Sequence, residues 1–276
     1  MPNLTFIRSV GPWKWLLRYS TLTIRKHVLK IDSRLRLPTG TTMLLPRHSQ
    51  SSTEVYVTNA DIDWGSEALF ARFANPNRDF LDIGAHVGYY SCYLSRLVRR
   101  IYAFEPDPRN IPSLHRNASL AGNVEVLEMA VSSSDGSASL QQGASSEVSS
   151  LAPDALGSSV EVQITSIDSF TRQRPQIDVC LIKIDAEGHD MEVLLGMEQL
   201  VARDQPLILC ECDFSSESRE LCVRWQYQIF AFTCNRSTLK TGLRHFISPD
   251  SERLWYKMLF MVPPHLTPEF SKLVTA

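Results

Sequence analysis

Asp82 sits inside Phe80-Leu81-Asp82-Ile83-Gly84-Ala85-His86-Val87-Gly88, and Glu105 follows twenty-three residues later, after the run Arg100-Ile101-Tyr102-Ala103-Phe104. A carboxylate, a glycine-punctuated turn and a second carboxylate at this spacing suit a nucleotide-like ligand. Glycine permits backbone conformations and close approaches that a Cβ blocks. A turn that feeds a helix N-terminus leaves N–H groups for an anionic or polar ligand. An acid at the tip of the next strand suits the two hydroxyls of a ribose. The dinucleotide fingerprint is G-x-G-x-x-G, whereas this chain has Gly84-x-x-x-Gly88 with His86 at the place of the second glycine. A pyrophosphate wants close backbone approach at that place, so NAD is disfavoured. A ligand with ribose and adenine but no phosphate fits better, and S-adenosylmethionine is such a ligand. Asp82 would then meet its cationic amino and sulfonium groups. Gly-x-x-x-Gly turns also recur in α/β proteins for packing alone, and it is the pairing with Glu105 that favours a cofactor.

A second group of reactive side chains lies in Lys183-Ile184-Asp185-Ala186-Glu187-Gly188-His189-Asp190, directly after the apolar run Val179-Cys180-Leu181-Ile182. Strand alternation puts Lys183 and Asp185 on one face, and Gly188 eases the turn. A carboxylate here can take a proton from a substrate hydroxyl or orient that hydroxyl toward an electrophilic methyl. Lys183 can hold the carboxylate by charge pairing and keep it ionised. Two other readings stand beside this one. Asp185 and Glu187 can simply cap the following helix, where acids are favoured. Together with His189 they also offer hard ligands to a metal, but nothing in the sequence fixes one, and no metal is expected.

These residues need a scaffold, and from Asp79 onward the chain supplies a regular rhythm. Strands are predicted at Phe80–Ile83, Ile101–Phe104, Val124–Glu128, Ile177–Ile184 and Leu207–Cys210, with Val160–Thr165 as an edge strand. Helices are predicted at about Gly88–Arg99, Arg109–Ala121, Met191–Val201 and Glu217–Phe230, with last strands at Ile229–Thr233 and Trp255–Val262. Alternating strands and helices give an α/β, Rossmann-like fold with a mostly parallel sheet and helices on both faces. Ligands bind at the C-terminal strand ends of such sheets, so the acids at the strand tips (Asp82, Glu105, Asp185 and Glu211) are expected to converge. Upstream, Thr21–Ile24 and Thr41–Leu45 look β-like, Thr53–Asp61 alternates like a strand, and Trp64–Phe73 has helical spacing before the break Asn75-Pro76-Asn77. The Ser/Gly-rich stretch 132–159 is expected to hold a small hairpin and a loop over the site. The domain reading is a basic, partly β extension over 1–60 and a catalytic domain over 61–276.

The 276 residues, 43% hydrophobic and 21% charged, suit a globular protein with ample core. No apolar run is long enough to span a bilayer. The first residues lack a signal peptide's layout, being broken by Arg8, Lys14 and Arg18. The six cysteines form no C-x-x-C pair, and a reducing cytoplasm is the expected setting. The net charge of −2 hides an asymmetry: residues 1–50 carry nine Lys/Arg against the single acid Asp32, +8, and the rest carry 19 against 29, −10. The basic part holds Trp13, Trp15, Leu16 and Leu17. It reads as a weak membrane-surface contact, as a patch for an anionic substrate, or, the reading favoured, as a solvated extension packing its tryptophans on the main domain. The acidic remainder repels phosphates, so no nucleic-acid partner is expected.

Together, Asp82-Ile83-Gly84-Ala85-His86-Val87-Gly88-Tyr89-Tyr90, Phe104-Glu105-Pro106, Lys183-Ile184-Asp185-Ala186-Glu187-Gly188, Leu194-Leu195-Gly196 and Glu211 resemble the FkbM family of S-adenosylmethionine-dependent methyltransferases. The resemblance covers roughly residues 79–215. It implies a class I methyltransferase fold, with a seven-stranded sheet whose last strand is antiparallel. It also implies O-methylation of a hydroxyl on a sugar, glycan, glycolipid or natural product. By position, Asp82, Gly84 and Gly88 match the cofactor loop, with His86 where the family usually has Asn. Glu105, followed by Pro106, matches the ribose-binding acid, and Asp185 and Glu187 match the acidic motif beside the reacting methyl. An imidazole titrates near neutral pH, so cofactor binding is expected to be pH-sensitive. The rivals are an NAD-dependent α/β enzyme and a non-catalytic S-adenosylmethionine-binding module. Oligomeric state has no signal in the sequence.

Overall fold

The computed structural model describes residues 7, 10–143, 151, 158–235, 237–238, 240–246 and 254–275. Helix α1 (Pro12–Thr23) runs on into a π-helical turn, Ile24–Val28, and a two-stranded hairpin follows, β1 (Ser33–Arg36) and β2 (Thr42–Leu45). Next come α2 (Ser51–Thr58) and α3 (Ser66–Arg72). The alternating part begins with β3 (Asp79–Ile83), α4 (Tyr89–Leu94), β4 (Ile101–Phe104), α5 (Ile111–Ala121) and β5 (Val124–Leu127). A small three-stranded sheet is made of β6 (Ala130–Val131), β7 (Gly136–Gln142) and β8 (Ser158–Thr165). Then follow α6 (Ile167–Arg172), β9 (Val179–Ile184), α7 (Asp190–Leu195), α8 (Glu198–Asp204), β10 (Leu207–Cys210) and α9 (Ser216–Trp225). The last elements are β11 (Gln228–Asn235), β12 (Thr241–His245), β13 (Leu254–Val262) and α10 (Thr267–Leu273).

The main sheet has the order β12-β11-β13-β10-β9-β3-β4-β5. From β5 to β10 neighbouring strands are parallel, and β13 enters antiparallel between β10 and β11. The expected seven strands with an antiparallel last strand are present. An eighth, β12, is added at the edge by pairing with β11. Central strands β3, β9 and β10 are buried at every position, which is why they read as continuous apolar runs rather than alternations. Successive side chains go to opposite layers. Leu81 and Ile83 join a core with Val193, Leu200 and Leu221 of α7–α9, while Phe80 joins one with Phe70 of α3, Tyr90 of α4 and Phe270 of α10. Helices therefore cover both faces.

Several local expectations fail for identifiable reasons. Thr53–Asp61 is not a strand: α2 is a helix whose Ser52, Val55 and Thr58 share a buried face. Its β-branched residues mimic strand alternation. Thr21–Ile24 is the end of α1 and the start of its π turn. Val160–Thr165 belongs to β8, the central strand of the small sheet rather than an edge. The predicted helix Met191–Val201 is split into α7 and α8 around Gly196, and the one predicted to reach Arg99 stops at Leu94. Helix α9 ends at Trp225, followed by Gln226 in a left-handed conformation, so Gln228–Phe230 belongs to β11. The Ser/Gly-rich stretch supplies β7, which pairs antiparallel not with a second arm inside 132–159 but with β8, the segment expected as a separate strand, and positions 144–150 and 152–157 lie outside the described residues.

Upstream of the alternating part, Leu35, Leu37, Met43, Leu45 and Val55 enter the same core as Phe80 and Leu209. Asn117 of α5 fastens the hairpin: its side chain accepts from Leu44 N at 2.8 Å and donates to the carbonyls of Leu44 at 3.0 Å and Val87 at 2.7 Å. The expected packing of the N-terminal tryptophans is not observed at Trp13, which is 82% exposed. Trp15 stacks on Tyr19, with ring centroids 4.9 Å apart. Among the described residues no helix is long and apolar enough to cross a membrane.

Candidate active site

Three parallel strands deliver the site. Ile83 of β3 is in register with Phe104 of β4 and with Ile184 of β9. The residues that follow (Gly84, Glu105 and Asp185) therefore leave the sheet side by side. The chain runs from β3 to β4 on one side and returns to β9 on the other, and such a reversal opens a crevice at the C-terminal strand ends. A cleft of about 280 Å³ lies there, and Gly84, His86, Glu105, Pro106, Asp185 and Glu187 are on its wall. Asp82, Gly88 and Lys183 are not on it.

The glycine turn is shaped first by the neighbouring loop. Gly84 has φ +71°, and a Cβ there would sit 1.8 Å from the carbonyl oxygen of Asp185. Close approach of the β3 and β9 tips is thus the reason for this glycine. Lys183 closes the same junction from beneath, donating to Gly84 O at 2.8 Å and pairing with Asp185 Oδ2 at 3.1 Å. Burial pulls the Lys183 ammonium down, but the carboxylates of Asp185 and Asp82 more than offset it, so its pKa ends above the ordinary lysine value. Asp82 is buried under the loop, where Oδ2 accepts from the Ser91 hydroxyl at 2.6 Å and Oδ1 has no hydrogen-bond partner among the described residues. Burial raises the Asp82 pKa, and Lys183 and Ser91 oppose the rise. Gly88 starts α4 behind the cleft, facing Leu114.

Glu105 is 5% exposed. Its Oε2 accepts from His86 N at 2.7 Å, and its Oε1 accepts from Asp107 N at 2.9 Å and from Asn110 Nδ2 at 3.2 Å. Burial pushes its pKa up to about 7 despite these donors. His86 has a left-handed backbone, φ 52°, and its Nδ1 lies 3.4 Å from the Ser51 hydroxyl.

At the β9 tip, Glu187 and Gly188 both have positive φ, 47° and 85°. Neither Asp185 nor Glu187 caps α7. Its N-cap residue, His189, makes no side-chain cap bond, and it is Asp190 that ties the turn by accepting from Ala186 N at 2.9 Å. His189 faces Ser132 at 3.0 Å, and burial lowers its pKa.

Gln50, Ser51 and Glu54, at the start of helix α2, also line the cleft; of these Glu54 is concealed in the sequence by the strand-like reading of 53–61. Asn110, Met129, Val131 and Leu140 line the cleft too and carry no spacing signal at all. The described wall holds four carboxylates, Glu54, Glu105, Asp185 and Glu187, and no Lys or Arg. Of the four strand-tip acids, only Glu105 and Asp185 reach the cleft; Glu211 is exposed at the β10 tip, its N–H bonded to Ile184 O. Another acidic pair lies behind Lys183. Asp63 accepts from the Tyr90 hydroxyl at 2.7 Å, and Glu67 accepts from Ile62 N, Asp63 N and the Tyr89 hydroxyl. Among the described residues no group of three or more His, Cys, Asp and Glu is placed to hold a metal ion.

Residues 82–233, more than half of the chain, match the Methyltransferase FkbM domain family. The hexuronic acid methyltransferase AglP of Haloferax volcanii is 30% identical over 117 residues, 42% of this chain and 48% of that protein. The chain thus spans about half the length of this curated relative. Among solved structures, Methyltransferase FkbM from Methylobacillus flagellatus KT is 15% identical, with 92% of this chain and 60% of that chain covered and a TM-score of 0.43. Trm5b from Pyrococcus abyssi is also 15% identical, with 84% and 56% covered and a TM-score of 0.43.

Proposed function

The chain belongs to the FkbM methyltransferase family, and from that premise we propose that it transfers a methyl group from S-adenosylmethionine to a hydroxyl of a sugar, glycan or natural product. The observation that carries this reading is the charge of the cleft. Four carboxylates with no Lys or Arg on the described wall suit a ligand with a ribose diol and cationic amino and sulfonium groups. The same wall opposes a pyrophosphate, and so disfavours NAD, and it opposes a nucleic-acid backbone. A sugar-type acceptor is supported by the relative whose name describes it as a hexuronic acid methyltransferase.

The residues fit the cofactor. Glu105 has acceptor capacity left at Oε2 for ribose hydroxyls, and Met129, Val131 and Leu140 offer an apolar surface for the adenine. Bound there, S-adenosylmethionine supplies an electrophilic methyl. The chain's own residues then have to align the acceptor oxygen and remove its proton. Asp185 is the base on this reading: it lines the cleft, is 31% exposed at its side chain, and is held by the Lys183 ammonium. Glu187, two residues further and exposed, orients the acceptor hydroxyl or shares the proton. Lys183, which is not on the wall, positions Asp185 from behind it through the ammonium bonds to Asp185 Oδ2 and Gly84 O. Titration calorimetry with S-adenosylhomocysteine and with NAD tests the cofactor assignment. Binding of the first and not the second is expected, and the reverse would overturn it. Methyl transfer to hexuronic acid and neutral hexose acceptors, followed by mass spectrometry, tests the acceptor class.

A further inference from the structure

Helix α1 and the π turn that continues it send Arg18 and Lys26 toward the protein and most of their large apolar side chains toward solvent. On the inner side Leu22 is 1% exposed, Arg18 donates to Tyr56 O at 2.6 Å and to Asn59 Oδ1 at 2.7 Å, and Lys26 donates to Ser49 O and Thr53 Oγ1 at 2.6 Å each. On the outer side Trp13 is 82% exposed, Leu16 49%, Leu17 70%, Ile24 51% and Val28 70%. Helical spacing places 13 and 17 on one side of α1 with 16 beside them, and Ile24 and Val28 of the π turn follow beyond the polar Ser20 and Thr21. A surface helix ordinarily aims its apolar side at the core. Single exposed apolar residues are ordinary, whereas a group of five large ones along one segment marks an interaction face.

We propose that this face docks the protein on an anionic lipid surface. Charge selects that occupant. Exposed Lys14, Lys30, Arg34 and Arg36 lie on the helix, at its exit and on the adjoining strand β1. Residues 1–50 carry +8 in a chain whose remainder carries −10, so an anionic surface attracts this end and repels the rest, which fixes orientation. A second copy would instead bring two basic ends together. Trp13 and Tyr19 are amphipathic rings of the kind that favour the headgroup boundary. Helix α1 rests through Arg18 and Lys26 on the α2 segment, which in turn forms a wall of the cleft through Ser51 and Glu54. Docking therefore holds the cleft one helix away from the lipid. This inference does not depend on the methyl-transfer reading.

The test is co-sedimentation of the full chain with vesicles of phosphatidylcholine alone and with about 30 mol% phosphatidylserine. Binding to the anionic vesicles only, weakened by high salt, is expected. Combined Trp13→Ala and Leu17→Glu should reduce partitioning by more than about tenfold while leaving circular dichroism and the affinity for S-adenosylhomocysteine unchanged. Absence of anionic-vesicle binding, equal binding to neutral vesicles, or no effect of the two substitutions would overturn it. So would a concentration-dependent dimer that the same substitutions abolish, since the face would then belong to a second copy. A chain that binds vesicles but not S-adenosylhomocysteine would sink the cofactor assignment and leave the docking face standing.

Discussion

Asp185 reaches the cleft with one carboxylate oxygen 3.1 Å from the Lys183 ammonium, an arrangement that fixes the direction of the carboxylate. Asp185→Asn should retain S-adenosylhomocysteine binding within a few-fold and lose at least about 100-fold in turnover; unchanged turnover in a single-turnover assay would remove Asp185 from the base role. Glu105 makes a pH prediction. With burial holding its pKa at about 7, the ionised acceptor that a ribose needs is the minor form at pH 6 and the major form at pH 8. Affinity for S-adenosylhomocysteine should therefore rise roughly tenfold across that range. Calorimetry should show the slope vanish in Glu105→Gln. If it survives there but vanishes in His86→Asn, the imidazole is its source. Gly84 is the position with least tolerance. Gly84→Ala forces a methyl into the Asp185 carbonyl at positive φ, and should cost roughly 2 kcal/mol or more in denaturant unfolding as well as cofactor affinity.

The sheet brings β3, β4 and β9 into a register that places three functional tips abreast, and other elements hold that edge rigid. The hairpin β1–β2 is one of them. Asn117, fully buried, joins Leu44 of β2 to Val87 of the glycine turn through three hydrogen bonds. Asn117→Ala leaves the main-chain groups of Leu44 and the Val87 carbonyl short of partners in a dry site. It should destabilise the fold by roughly 2–4 kcal/mol, read as a shifted urea midpoint at constant slope. Helix α2 belongs to the same support, since it stands between the cleft and α1. Its misreading as a strand shows why period alone is weak over eight residues: Val55, Val57 and Thr58 are β-branched, and which faces are buried depends on neighbours distant in sequence.

Across the whole molecule, acids buried near the site make stability depend on pH. Burial raises Glu67 from the ordinary 4.5 to about 8, and Glu105 to about 7. An acid whose folded pKa is raised keeps its proton in the native state while the unfolded chain ionises. The stability it contributes is thus full below about 4.5 and is lost as pH rises through the folded value. Denaturant stability should fall by on the order of 6 kcal/mol between about pH 5 and about pH 8.5, and Glu67→Gln should remove more than half of that fall, leaving the part due to Glu105. By itself the sequence determined the alternating core and the two glycine-acid motifs. Buried parallel strands must be continuously apolar, and a chain can leave such strands only through turns that glycine allows. It also determined the charge asymmetry, which is independent of conformation. Tertiary structure alone decided which of the marked acids line the cleft. Asp82 and Lys183 stand in the same motifs as Gly84 and Asp185, yet they fall inside the buried strands β3 and β9 whereas Gly84 and Asp185 lie just past the strand ends. It likewise brought α2 to the cleft wall and turned the apolar side of α1 outward. Side-chain direction and the contacts between distant segments arise from packing of the whole chain, which no local spacing encodes.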